Sequence, residues 1–465
     1  MREETNKWRE IEEASDDPEK SLAWDAPQNT LMMQGFEWHV PADQKHWQRL
    51  RIALPSLRDA GVDNIWIPPG CKGMVPSVTA RGVGIGIYWD AVLNHKAGAD
   101  STERFSTVKV DPKDRTIVTS KPQKISGWVG FDFPGRKGKY STMKYHHRHF
   151  NGVDWDESRK QQAIYKTAKP RKYWAKDVIR ADIFKWAEWI GTELPISGMR
   201  INAAKHFSAA FQKQFVDHLR NTVGADYFIV GEYWRGHVRH LLNYLKVMEY
   251  GVSLFDVPLL GRFAVTSKTE GSDLREIFRG TLVEQNPAHA VTFVGNHDTQ
   301  LGQSLETVIA PFFKPIAYAL ILLRAQGQPC VFYGDLYGTK EGAGAASMPS
   351  CMGKLPVLMR ARKLYAYGDQ RDYFEKKNCI GFVRYGNEYF TDGLACVISN
   401  MGATYKRMYV GVRHEGEEWT DVLEWCIGTV FINTRGYGMF PVSTKSVSVW
   451  VNNKANGRRK LSRPL

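Results

Sequence analysis

The chain has little with which to build covalent or metal cross-links. Its six cysteines (Cys71, Cys330, Cys351, Cys379, Cys396 and Cys426) are scattered over 465 residues. They form no CxxC pair and show no metal-ligand spacing, which excludes a disulfide-stapled or zinc-ribbon scaffold and points to reduced thiols. Residues 1–20 are charged and lack the apolar core of a secretory leader. The longest apolar run, near Ala317–Leu323, falls well short of the roughly 18 residues a membrane-crossing helix needs. A cytoplasmic protein with no membrane partner is therefore expected. No internal repeat or low-complexity tract is present, so solenoid and fibrous architectures are excluded.

What is present suits a large globular chain. Hydrophobic residues make up 43% and aromatics 12%, enough for a sizeable core. The length allows one α/β barrel with a smaller domain, or two to three mid-sized domains. The net charge of +14 is uneven, because Arg104–Arg180 holds 19 Lys/Arg against 7 Asp/Glu. Such a block can attract polyanions. It lacks the folds that read bases, so a solvated basic face is the expected meaning and no nucleic-acid partner is expected.

From Thr30 onward, short β-rich runs alternate with amphipathic helices. Strands are predicted at Leu31–Phe36, Asn64–Ile67, Gly86–Leu93, Gly198–Ala203, Tyr227–Val230, Ala290–Val294 and Pro329–Tyr333. Helices are predicted at Lys45–Ala60, through Phe184–Ile190, at Ser208–Thr222 and at Pro315–Arg324. This alternation implies a parallel sheet and supplies enough units for a (β/α)8 TIM barrel, whose active residues stand at the C-terminal strand ends. Four segments follow: a polar extension (1–29), a barrel (30–95 and 180–371), a loop-rich insertion after the third strand (96–179), and a C-terminal all-β domain (372–465). Only about twenty residues separate the second strand from Gly86, and Val75–Gly86 has no helical pattern, so the second barrel helix is expected to be missing.

Three predicted strands end in polar groups. Tyr227–Val230 runs into Glu232, Ala290–Val294 into Asn296, His297 and Asp298, and Gly198–Ile201 into Asn202 with Lys205 and His206 beyond. Singly, each has an ordinary explanation as a cap, a surface acid or a structural histidine. Together, at one barrel mouth, two carboxylates and several imidazoles suit glycoside hydrolysis, in which one acid protonates the leaving oxygen and another group stabilises an oxocarbenium-like state.

These segments carry a family likeness. Asp90-Ala91-Val92-Leu93-Asn94-His95 is similar to the motif DVVLNH, and Gly198-Met199-Arg200-Ile201-Asn202-Ala203-Ala204-Lys205-His206 to GxRxDAxKH. Gly231-Glu232-Tyr233-Trp234 and Phe293-Val294-Gly295-Asn296-His297-Asp298 complete four motifs in order. The chain thus resembles the α-amylases of glycoside hydrolase family 13, most of all the intracellular fungal ones, from about Thr30 to beyond Val451. The resemblance implies that Glu232 is the general acid/base, that Asp298 binds sugar hydroxyls, and that His95 and His297 flank the cleaved bond. It also implies that Arg200 orients the nucleophile, that Lys205 and His206 touch the leaving side, and that Asn94 is a calcium ligand. The implied partner is an α-glucan, handled by a monomer.

Three departures stand against this pattern. Asn202 occupies the place of the nucleophilic aspartate, and a neutral amide can neither attack the anomeric carbon well nor stabilise a cation. Rate losses of roughly 10⁴- to 10⁶-fold are expected by analogy with other hydrolases stripped of a nucleophile. The short second crossover omits a tyrosine that the family stacks on the reacting sugar. Where the family carries an aspartate-rich segment, Gln161–Lys176 holds Lys166, Lys169, Arg171 and Lys172 and no acid, so calcium, which wants six to eight oxygen ligands, is expected to bind poorly. Three readings stay open: a weak α-1,4-glucan hydrolase or transglycosylase, an inactive paralogue that binds glucan or regulates an active homologue, and a basic anion binder.

Overall fold

The computed structural model describes residues 29–69, 82–112, 114–137, 139, 141–168, 174–339 and 347–465. The described residues form two compact units: those within 1–91, 195–216 and 226–465 make the first, and those within 92–194 and 217–225 the second.

In the first unit, β1 (Met32–Gln34), α1 (His46–Asp59), β2 (Asn64–Trp66) and β3 (Gly86–Ala91) open the chain. Residues 70–81, between β2 and β3, carry Cys71 and most of the stretch expected to lack a barrel helix, and they lie outside the described residues. The polar extension also lies outside them, apart from Asn29.

The second unit contains β4 (Ser101–Lys109), β5 (Gln123–Gly130), β6 (Gly152–Asp156) and β7 (Gln161–Thr167), followed by α2 (Trp174–Glu193). The four strands make one antiparallel sheet in the order β5-β4-β7-β6. Phe105, Ile125, Val129 and Tyr165 form its small core. Long connections such as 110–122 and 131–151 keep the insertion loop-rich, as expected, and around them it holds a regular sheet that the sequence pattern did not mark. Alternation of apolar and polar residues along β5, Ile125, Gly127 and Val129 inward, is a two-residue period that the many surrounding charges obscure.

Chain order then gives β8 (Gly198–Ile201), α3 (Ala209–Thr222), β9 (Phe228–Gly231), α4 (Val238–Val247), β10 (Ser253–Phe255), α5 (Val257–Lys268), α6 (Leu282–Gln285), β11 (Ala290–Phe293), α7 (Lys314–Leu322), β12 (Gln328–Phe332), α8 (Tyr333–Tyr337) and α9 (Leu355–Tyr365). Strands β1, β12, β11, β10, β9, β8, β3 and β2 close into a parallel barrel in that order. Every residue of β8 and β11 is buried, as expected for strands covered on both faces. Gly198 begins β8 because a Cβ there would stand 2.4 Å from the Phe228 carbonyl oxygen of the neighbouring strand. On α4, Val238, Leu241, Tyr244 and Leu245 form one buried stripe. The long apolar run belongs to α7, buried at every position from Pro315 to Leu322. That helix packs against α9 and against β20 (Ser446–Asn452), so its apolarity is explained by burial on all sides.

The C-terminal region carries β13 (Gln370–Lys376), β14 (Cys379–Arg384), β15 (Leu394–Ser399), β16 (Thr404–Tyr409), β17 (Glu418–Asp421), β18 (Val430–Phe431), β19 (Tyr437–Val442) and β20. Six of these form one sheet, and β16 pairs with β19 in a second. Trp419, Trp450, Phe440 and Met408 fill the core between them, as the all-β expectation required. The five described cysteines are all unpaired thiols. No described helix is long and apolar enough to cross a membrane.

Candidate active site

The C-terminal ends of β3, β8, β9 and β11 supply Asp90, Arg200, Asn202, Glu232, His297 and Asp298. Arg200 is the hub. Its side chain is almost fully buried, and its guanidinium makes three kinds of contact. Nη1 donates to Asp90 Oδ1 and Oδ2 at 3.0 and 3.1 Å and to the amide oxygen of Asn202 at 2.7 Å. Nη2 donates to Glu232 Oε2 at 2.8 Å. The guanidinium also lies 4.7 Å from the Trp66 ring centroid, while the Trp66 indole N–H donates to Asp90 Oδ2 at 3.1 Å. Burial opposes the charge on Arg200, but Asp90 and Glu232 outweigh that cost and raise its pKa.

Glu232 Oε2 accepts a second hydrogen bond, from the Ala203 backbone N–H at 2.9 Å. This is possible because the chain turns sharply after β8. Ala203 takes a left-handed backbone (φ 51°) before the short helical turn Ala204–His206. A non-glycine residue in that region costs about 1–2 kcal/mol, and it aims the Ala203 N–H at Glu232.

His297 is buried among Phe36, Trp38 and Trp66. Gln34 Nε2 donates to its Nδ1 at 3.0 Å, which leaves Nε2 as the protonated nitrogen, 3.4 Å from Asp298 Oδ2. Burial, with the Arg200 charge adding to it, pulls the His297 pKa down to about 3. The ring is a neutral donor across the physiological range. Burial, then the charge of Glu232, pushes the Asp298 carboxyl up to about 6. Lys205 donates from Nζ to the Trp234 carbonyl at 3.2 Å, and burial lowers its pKa.

Asn202, Lys205, His206, Glu232, Trp234 and Asp298 line one cleft of about 280 Å³. Five of the sequence-predicted residues thus line a single pocket, and Arg200 and His297 contact it through Asn202, Glu232 and Asp298. Asn94 and His95 belong to the second unit and both are exposed. Sequence reasoning gave no role to Asp90, Trp66 or Gln34. The position of Asp90 at the head of its motif was the available signal. It also missed β10 and the buried Asp256 that follows, whose carboxylate accepts the N–H groups of Leu259, Leu282 and Val283. Asp256 followed by Pro258 is a helix-start signature that could have located both.

The family model "Alpha amylase, catalytic domain" matches residues 70–360, and "Alpha-amylase C-terminal" matches 394–451. The chain belongs to the α-amylase family of glycoside hydrolases. It is 38% identical to an α-amylase of Bacillus licheniformis over 93% of this chain and 95% of that one. It is 32% identical to the cytoplasmic α-amylase of Escherichia coli over 91% and 99%. Its fold matches the solved α-amylase of Geobacillus thermoleovorans complexed with acarbose, with a TM-score of 0.58 at 16% identity, over 94% of this chain and all of that one.

Calcium is typical of α-amylases, and among the described residues the expected position does not offer the ligands it needs. The expected ligand Asn94 is an exposed amide, and β7 carries no acid along Gln161–Thr167. Residues 169–173 lie outside the described residues. The well-placed carboxylates of the second unit already serve protein donors. Asp156 accepts from Ser126 N, Ser158 and Arg159, and Asp182 from Ser141 and Tyr145. Glu103, His146 and His147 have potential ligand atoms within 4.8 Å of one another, but two imidazoles do not make the oxygen cage calcium needs.

Proposed function

We propose that this α-amylase acts on α-1,4-glucans by the family's retaining reaction, at a rate held low by Asn202. The observation that carries the reading is the contact of Arg200 Nη1 with the Asn202 amide oxygen. The side chain at position 202 is held by the buried arginine beside Glu232, where the family places its anionic nucleophile. In this reading Glu232 protonates the leaving oxygen. Asp298 and the neutral N–H of His297 bind sugar hydroxyls, and Lys205, His206 and Trp234 hold the leaving-side sugars. Covalent attack falls to an uncharged amide oxygen, so the slow step is formation of the glycosyl intermediate. His95 is assigned to the same substrate through its motif. One relative is named a cytoplasmic α-amylase, and a monomer acting in the cytoplasm completes the proposal.

A second reading, glucan binding without turnover, draws on the same contact, because a neutral site can hold sugars yet lack the attacking group. Reducing-sugar release from soluble starch separates the two. The purified chain is expected to show weak release that rises by roughly 10⁴-fold in Asn202→Asp. Retention on amylose with no release, before and after that substitution, would favour binding alone. No retention and no release would end both.

A further inference from the structure

The contacts around Asn202 do more than hold it. The geometry points to Asn202 as a self-modifying residue, in which Glu232 and Arg200 drive deamidation of the side chain to aspartate and so supply the missing nucleophile. The inference rests on the proposed role of position 202 and names how that site is regulated.

Deamidation through a cyclic imide needs three things of its surroundings. The backbone nitrogen after the asparagine must lose its proton, the side-chain carbonyl must be polarised, and water must reach the product. The Ala203 N–H already donates to Glu232 Oε2 at 2.9 Å, so a carboxylate base sits on the nitrogen that must attack. Arg200 Nη1 donates to Asn202 Oδ1 at 2.7 Å, at the oxygen that takes negative charge when Cγ is attacked. Asn202 is half-buried and lines the open cleft, so water has access. A preformed base and a preformed oxyanion donor are the two groups that enzymes assemble for acyl transfer.

The step balances without any other reagent than water. Ala203 N gives its proton to Glu232 and bonds to Asn202 Cγ, while Arg200 stabilises the oxyanion. The Cγ–Nδ2 bond then breaks, Glu232 returns the proton to the departing nitrogen, and ammonia leaves. Water next adds to Cγ of the cyclic imide, the Cγ–N bond breaks, and the proton returns to Ala203 N. One water is consumed and one ammonia released, and Glu232 and Arg200 are unchanged. Water attack at the backbone carbonyl instead yields isoaspartate, which lengthens the main chain and leaves its new carboxylate on the α-carbon, away from the place of the nucleophile.

The chain contains its own controls. Asn151 and Asn456 are exposed and each precedes glycine, where the absence of a Cβ leaves the attacking nitrogen unhindered. Asn202 precedes alanine and should be the slower site in an unfolded chain. The test is peptide mass mapping of the full chain after timed incubation at neutral pH, folded and in urea, with oxygen-18 water marking the new carboxyl. The expected result is conversion at Asn202 that is roughly 10²-fold faster in the folded chain than in urea, while Asn151 and Asn456 show no such gain. Glu232→Gln should abolish the gain. If that variant fails to fold, the folded-against-urea comparison decides alone. An amide that persists at position 202 while Asn151 and Asn456 convert, or equal rates folded and unfolded, overturns the inference. Mass reads the conversion, and electron-transfer fragmentation of the peptide separates aspartate from isoaspartate, which have the same mass. A chain that converts yet releases no sugar sinks the hydrolase reading only, and one that never converts leaves that reading to the Asn202→Asp comparison.

Discussion

Arg200 holds Asn202 by the amide oxygen, 2.7 Å from Nη1, as it would hold a carboxylate. An amide and a carboxylate have the same shape, so the substitution changes charge and leaves the hydrogen bond in place. Position 202 therefore separates chemistry from folding. Asn202→Asp is expected to alter unfolding free energy by no more than about 1 kcal/mol, because the bond persists. Urea unfolding beside starch assays of the same preparation checks this. A large stability change would mean that the site is not built for an anion.

Removing the hub has the opposite signature. Arg200→Ala strips Asp90 of both its Nη1 bonds and Glu232 of its Nη2 bond, leaving two buried carboxylates unpaired. Loss of one partner from a buried ion pair costs about 3–5 kcal/mol. Chemical denaturation should show a loss of that order. A nearly neutral effect would show that the ion cluster does not support the barrel mouth.

The paired residues His297 and Asp298 set opposite pH slopes. Asp298 titrates at about 6 in the folded chain against an ordinary 3.8. Between those values the folded form holds a proton the unfolded chain lacks, so this group makes stability fall as pH rises. His297 titrates at about 3 when folded against 6.5. Between those values the unfolded chain holds the extra proton, so this group makes stability rise with pH. Asp298→Asn leaves His297 unopposed. Its thermal midpoint should climb with pH more steeply than that of the wild type between 3.8 and about 6. Parallel curves would rule out the raised Asp298 carboxyl.

Calcium should matter little to this chain, given the amide at position 94 and the acid-free strand β7. Melting curves with added calcium and with a chelator are expected to overlay. A stabilisation that rises with calcium concentration, as binding linkage requires, would show that the chain does assemble an oxygen cage for the ion.

Much of this molecule could be read before any coordinates. Periodicity marked seven of the eight barrel strands, because buried parallel strands are short apolar runs between helices. Strand β10, Ser253–Phe255, escaped because its apolar residues run almost directly into those of α5 (Val257–Lys268), which blurs the boundary between strand and helix. The inserted sheet escaped because its core is only a few side chains amid many charges.

Residue identity alone determined that position 202 carries no charge, that acids are absent from Gln161–Lys176, and which side chains could do chemistry. Only tertiary structure decided that Arg200 bridges Asp90, Asn202 and Glu232, and that the Ala203 N–H meets the Glu232 carboxylate. The reason is physical. Composition is a property of the chain, whereas hydrogen bonds between residues 29 to 110 positions apart depend on barrel closure bringing separate strand ends to one mouth.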